Sequence, residues 1–263
     1  MTTSSTGKIA IAFAIGLVIG AAAVNFFRFG SPTQGVDMVT PVPGKKAAQE
    51  PASAPPAALG QVAQDLKKGG HILYFRHPQR QKWDSVIAFD VYEIATGASA
   101  AEATFSNAVC LTPQGREEAK MIGKIFELAK VPVGAVVSSP SCRARQAAEL
   151  AFGRVDATNI GLMHTPVTNA NNAAAFSAEL KNLLATIAIE PGKNAVITAH
   201  GNTLENNKGL FASGAGLFAN PVLTETGFFV IRRDADGKLH LVQKFVNLGD
   251  FASNAIDLPI VKP

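Results

Sequence analysis

Between Leu59 and Pro263 short β-rich runs alternate with longer segments of helical period, and this alternation limits the fold more than any other feature of the chain. The β-rich runs are Ile72–Phe75, Ala135–Val137, Ala195–Thr198, Phe228–Ile231 and Leu241–Phe245. Helical character falls on Pro113–Lys130, Ser141–Phe152, Ala173–Ile187 and Asn202–Phe211. The first of these helices has Thr112 as its cap and Pro113 at its first position, and it places Ile122, Ile125, Phe126 and Ala129 on one face. Strands exchanging with helices bury a sheet between helical layers, so we expect an α/β three-layer sandwich around a mainly parallel central sheet. Hydrophobic residues make up 47% of the chain and charged residues 17%, enough apolar material for one sizeable core.

Two segments of different character precede this domain. In residues 1–30 an uninterrupted apolar run, Ile9 to Val24, is flanked by Lys8 and Arg28, with Phe26 and Phe27 at its end. A helix needs about 20 apolar residues to cross a bilayer, so the run is read as a single-pass transmembrane anchor. A cleaved signal peptide, with Ala21-Ala22-Ala23 at its cleavage site, is the alternative. Gly16 and Gly20 are spaced to pack two such helices into a dimer. Residues 31–58 carry Pro32, Pro41, Pro43, Pro51, Pro55 and Pro56 with no hydrophobic period, as expected of a flexible Pro/Ala-rich linker. The expected product is a domain, residues 59–263, held outside the cytoplasm on the periplasmic side of a membrane.

The formal net charge is +4, from 24 Lys and Arg against 20 Asp and Glu, and the basic residues are scattered. That distribution lends no support to nucleic-acid binding and suits an anionic substrate. Five histidines and two cysteines show neither a CxxC pair nor metal-ligand spacing, so no structural zinc and no other cofactor is expected. Cys110 and Cys142 leave two readings open. They are buried free thiols or, in an exported domain, one disulfide, since each just precedes a helix starting at the same sheet edge.

Ligands of open α/β sheets sit outside the carboxyl ends of the strands. Three such ends here carry basic groups: Arg76-His77-Pro78-Gln79-Arg80, Ser138-Ser139-Pro140-Ser141-Cys142-Arg143-Ala144-Arg145, and Ala199-His200-Gly201-Asn202. Guanidinium groups match phosphate oxygens in bidentate geometry, so the gathering reads as a phosphate pocket with a histidine at its floor. Two positions along a helix lie about 200° apart, so Arg143 and Arg145 cannot both point into it. Arg143, in the first turn, is the one assigned to the pocket.

These stretches resemble the histidine phosphatase (phosphoglycerate-mutase-like) superfamily. Arg76-His77 is similar to its Arg-His-Gly motif, and Leu111-Thr112-Pro113-Gln114-Gly115 to the start of its next helix. Ser139-x-Ser141-x-Arg143-Ala144-x-x-Ala147-Ala148 resembles the second arginine motif, and Ala199-His200-Gly201-Asn202-Thr203-Leu204 the second histidine motif. The resemblance covers about Gln61 to Asp250. It implies phosphomonoester hydrolysis through a covalent phosphohistidine at His77, with Arg76, Arg143 and His200 holding the phosphoryl oxygens and no metal or cofactor. Arg80 stands where the acid-phosphatase branch has an extra arginine and is a further phosphate contact. The substrate implied is a phosphorylated small molecule or a phosphoprotein. A phosphate-binding pseudoenzyme is the alternative, and a phosphomutase a more distant one.

The chain departs from the family pattern in three places. Pro78 replaces the motif glycine, Ala147 replaces a threonine, and His200-Gly201 lacks the His-Asp pair of the acid-phosphatase branch. From Ala157 to Ser177 there is no Asp or Glu, so the proton donor has two candidates elsewhere, Glu225 and Asp84. Asp84 lies with Trp83 in the insertion Gln81–Phe105, a candidate substrate lid. His71, His164 and His240 have no partner pattern and are expected at the surface.

Overall fold

The structure, a computed structural model, describes residues 57–82, 108–164 and 173–256. The apolar run at Ile9–Val24, nearly all of the linker, and the Trp83–Asp84 insertion lie outside the described residues. Among the described residues no helix is long and apolar enough to cross a membrane.

Among the described residues seven strands form one sheet: β1 (Ile72–Arg76), β2 (Val133–Ser138), β3 (Ala157–Thr158), β4 (Asn194–Ala199), β5 (Phe211–Ser213), β6 (Phe228–Arg233) and β7 (Leu239–Phe245). Their order is β3-β2-β4-β1-β6-β7-β5. Only β6 runs against the rest: it pairs antiparallel with β1 and β7, and every other pairing is parallel. The expected mainly parallel sheet is therefore present, mixed by one reversed strand. Helices α1 (Leu59–Leu66), α2 (Pro113–Leu128), α3 (Cys142–Phe152), α4 (Ala173–Thr186), α5 (Gly201–Glu205) and α6 (Leu248–Ala255) surround it.

The period-two alternation of the strands sorts the core onto two faces. Leu73, Phe75, Val196, Phe228 and Phe245 pack with α1, α2 and α6 through Leu66, Ile122, Phe126 and Phe251. Ile72, Tyr74, Ile197, Phe229 and Ile231 pack on the other face with Leu180 and Leu184 of α4. Phe75 stacks on Phe228 with ring centroids 4.6 Å apart, so the strand carrying the first basic motif is pinned between aromatics. Truncating such a ring costs about 3–5 kcal/mol.

Helix α2 starts as expected. Thr112 Oγ1 accepts from the Gly115 amide at 3.0 Å, with Pro113 at the first position. One expectation fails. In place of a helix over Asn202–Phe211, the chain makes the five-residue α5, a turn, a 3-10 segment at Lys208–Leu210, and then β5. The Asn207 side chain donates to the Thr203 carbonyl at 2.8 Å, offering the backbone an alternative to continued helix. Beyond it Phe211 pairs with Leu239, and the edge of the sheet claims the apolar residues that a helix would have used.

Candidate active site

Register aligns the strand ends that carry the basic motifs. Arg76 is opposite Ala199 and Ser138 is opposite Thr198, so β1, β4 and β2 release their chains at one level. His77, His200, Ser139 and Arg143 emerge there together. The rings of His77 and His200 stand 5.3 Å apart, edge to face.

His77 is 5% exposed, and its amide donates to the Ala199 carbonyl at 3.0 Å. Its Nδ1 lies 2.8 Å from the Pro78 carbonyl oxygen and can only donate to it. The neutral ring therefore carries its proton on Nδ1 and a lone pair on Nε2. Burial, and then the positive charge of Arg143, hold its pKa well below the ordinary histidine value. The backbone carbonyl of Pro78 thus contributes the acceptor that fixes the tautomer.

Arg143 is 1% exposed, in the first turn of α3. Its Nη2 donates to His200 Nδ1 at 3.3 Å, and its Nη1 reaches the Val109 carbonyl at 3.5 Å. A guanidinium has no lone pair to offer, so His200 Nδ1 is the acceptor and its ring proton sits on Nε2. That proton faces the Ser139 and Ser141 hydroxyls at 3.2 and 3.3 Å. His200, 3% exposed, is likewise held well below the ordinary pKa, by burial first and Arg143 second. The buried Tyr74 hydroxyl donates to its carbonyl at 3.1 Å and fixes the backbone.

Arg76 is half-buried. Its amide donates to the Gly227 carbonyl at 3.0 Å and its Nη1 to the Leu223 carbonyl at 2.7 Å. A Cβ on Gly201 would come within 3.1 Å of Arg76 Cδ, so the glycine after His200 makes room for this side chain. Arg80 is half-buried; its Nη1 donates to the Gln81 carbonyl at 2.8 Å, and its charge lowers the pKa of both His77 and His200. Arg145 is also half-buried, two positions past Arg143 on α3.

The loop after His77 is clamped by α2. The Thr112 amide donates to the Gln79 carbonyl at 3.1 Å, and the Gln79 amide to Glu118 Oε2 at 2.9 Å. A Cβ at Gly115 would overlap the Gln79 carbonyl, which explains the glycine of the Thr-Pro-Gln-Gly stretch. Cys110 and Cys142 are joined as a disulfide with Cα atoms 5.0 Å apart, so the second of the two readings holds. The bond ties the first residue of α3, next to Arg143, to the segment whose Val109 carbonyl faces that arginine.

Glu225 lies at the rim. Phe228 pairs with Phe75, so the turn before β6 sits beside the carboxyl end of β1, and the Glu225 side chain is half-buried there. Asp84 lies outside the described residues. The expectation for His164 is corrected. It is 7% exposed, and its ring stands 5.0 Å from that of His200. Only the two-residue strand β3 precedes it, so no recognisable strand-end motif marked it in the sequence. His71 and His240 are half-buried at the amino ends of β1 and β7, where His71 Nδ1 meets the Gly69 carbonyl and His240 Nε2 meets Asp234. No metal-binding group of three or more His, Cys, Asp or Glu occurs among the described residues.

No protein-family model matches the sequence, and no curated protein matches it either. Among solved structures, the chain is similar to the protein histidine phosphatase SixA complexed with tungstate, at 16% identity over 66% of this chain and 96% of that one, with a TM-score of 0.44. It is similar to the alpha-ribazole phosphatase from Shigella flexneri at 16% identity, over 72% and 99% of the two chains, with a TM-score of 0.42. YhfR of Bacillus stearothermophilus aligns at 18% identity over 69% and 98%, with a TM-score of 0.41. Likenesses this distant leave the chemistry of the pocket to its own residues.

Proposed function

We propose that this chain hydrolyses phosphomonoesters, with His77 Nε2 as the nucleophile that takes the phosphoryl group. The observation that carries the reading is the paired state of His77 and Arg143. One is a buried imidazole kept neutral with its lone pair on Nε2, and the other is a buried guanidinium beside it that also donates to His200 Nδ1. An imidazole attacks phosphorus only when neutral. Pre-aimed donors stabilise the charge that spreads over the phosphoryl oxygens. Arg76 and His200 complete the donor set. Arg80 adds positive potential.

Export and membrane attachment belong to the same reading. They are supported by the apolar run Ile9–Val24 and by the disulfide, a bond that persists in oxidising compartments. A substrate met there is a phosphorylated small molecule or an exposed phosphoprotein.

Rapid-quench trapping with radiolabelled p-nitrophenyl phosphate tests the mechanism. Wild-type protein is expected to hold label in an acid-labile, base-stable bond, and His77→Ala to lose both label and turnover. Label elsewhere in the His77→Ala protein would overturn the assignment. Phosphate binding without turnover by wild-type protein would make it a binding pseudoenzyme.

A further inference from the structure

We propose that Lys244 is a positioning residue of this site: its buried amino group pins the segment Ala219–Leu223, whose last carbonyl holds the Arg76 guanidinium. The inference rests on the phosphatase reading above, in which Arg76 contacts the phosphoryl group.

Lys244 lies near the end of β7, opposite Phe229 of β6, and is 7% exposed. A lysine so placed gives up most of its hydration, a cost that an apolar side chain would avoid. Burial draws its pKa below the ordinary lysine value, and the charge of Glu205 opposes that shift. Two specific bonds offset the cost. Nζ donates to the Ala219 carbonyl at 2.7 Å and to the Pro221 carbonyl at 2.6 Å. Hydrogen bonds from a charged donor are stronger than neutral ones, and both of these end on one short stretch of chain. Ala219, Asn220, Pro221 and Val222 are all exposed, so their own packing does little to fix that stretch. Lys244 fixes it from β7.

The stretch leads directly to the pocket. Two residues beyond Pro221, the Leu223 carbonyl accepts Arg76 Nη1 at 2.7 Å. Leu223 itself is 3% exposed, and the Thr224 amide after it donates to the Val246 carbonyl at 3.0 Å. The end of β7 thus grips the segment on both sides of the carbonyl that holds Arg76, through Lys244 before it and Val246 after it. Farther along, the Gly227 carbonyl accepts the Arg76 amide at 3.0 Å. A guanidinium has five N–H donors in a fixed fork, so a carbonyl that takes one of them sets the direction of the others. Lys244 acts on phosphate through Leu223 and Arg76.

Titration calorimetry with inorganic phosphate on the full-length protein tests this chain of contacts, in wild type, Lys244→Met, Arg76→Ala and the double variant. Lys244→Met keeps the apolar stem and removes the donors. It is expected to weaken phosphate binding about 10-fold when Arg76 is present, as a small misplacement of a binding group does. In the Arg76→Ala background it is expected to cause no further loss, because the two residues act in series. In wild type and Lys244→Met, kcat/KM for p-nitrophenyl phosphate is expected to follow the affinity. Lys244→Gln, which keeps a donor on a shorter arm, is expected to fall between wild type and Lys244→Met, and it replaces Lys244→Met in the cycle if that variant does not fold. All proteins are measured well below their unfolding temperatures. Equal loss in both backgrounds would mean that Lys244 only supports the fold, and would overturn the inference. So would unchanged affinity in Lys244→Met or in Arg76→Ala, or the failure of both lysine variants to fold. A wild-type protein that binds phosphate without hydrolysing p-nitrophenyl phosphate would sink the phosphatase reading, while the coupling of Lys244 to Arg76 is still read from the affinities. A wild-type protein that does neither would sink both.

Discussion

Gly201 shows how closely single residues are held in this pocket. A methyl group there meets Arg76 Cδ at 3.1 Å, and Arg76 has little freedom to yield because its Nη1 is tied to the Leu223 carbonyl. Gly201→Ala is therefore expected to displace the guanidinium by some tenths of an ångström and lower kcat/KM by about 10- to 100-fold, as misplacement of a positioning group does. Unfolding temperature is expected to stay near wild type; an unchanged kcat/KM would show that Arg76 does not contact the phosphoryl group. The residues legible in the sequence were those with a strand to point at them. Arg76, His77, Arg143 and His200 each follow or nearly follow a β-rich run of three or more residues. His164 follows two residues of strand at the sheet edge, so its burial comes from tertiary packing that no local pattern announces. The role of Pro78 was hidden for another reason. Its missing N–H is visible in the sequence, but the use of its carbonyl to fix the His77 tautomer depends on where the ring turns.

At the scale of elements, the Cys110–Cys142 bond joins the start of α3 to the chain that precedes α2, across a sequence separation of 32. Closing a loop of that length stabilises a fold by about 3–4 kcal/mol, chiefly by restricting the unfolded chain. Cys110→Ser/Cys142→Ser is expected to lose most of that in chemical denaturation. It is also expected to weaken phosphate binding, because the Val109 carbonyl and Arg143 are held in register by the bond. Stability lost with phosphate affinity unchanged would separate the two effects. The helices were read with uneven success. α2 carries its cap, its proline and its apolar face within one short stretch of sequence, and all three survive in the structure. The span after His200 also has helical composition, but it is divided between α5 and an edge strand because the sheet offered Phe211 a partner. Short β3 and β5, of two and three residues, are stabilised by pairing alone and leave no periodic trace.

The whole molecule shows its polar site most directly in the dependence of stability on pH. His77 and His200 are buried as neutral rings beside Arg143, and their folded pKa values lie well below the ordinary histidine value of 6.5. His71, at the far end of the sheet, is lowered as well, mainly by burial. In the unfolded chain these rings titrate near their ordinary value. As pH falls below about 6.5 the unfolded state takes up protons that the native state refuses, so the equilibrium shifts toward unfolding. Each ring adds a slope of up to about 1.4 kcal/mol per pH unit until its folded pKa is reached. The lowered carboxylates Asp65, Asp156 and Asp234 act in a separate window, since their stabilisation is lost only as pH falls below the ordinary carboxylate range. Thermal unfolding followed from pH 7.5 down to about 3 is therefore expected to show a fall in Tm beginning near pH 6.5. His77→Asn is expected to remove one ring's share of that slope while leaving the lower, carboxylate limb in place. Inorganic phosphate, by placing an anion against Arg143 and the two rings, is expected to flatten the upper limb in wild type. A Tm that stays level between pH 7 and 5 would mean that His77 and His200 are free to protonate in the folded protein, and the neutral nucleophile on which the catalytic reading depends would be lost.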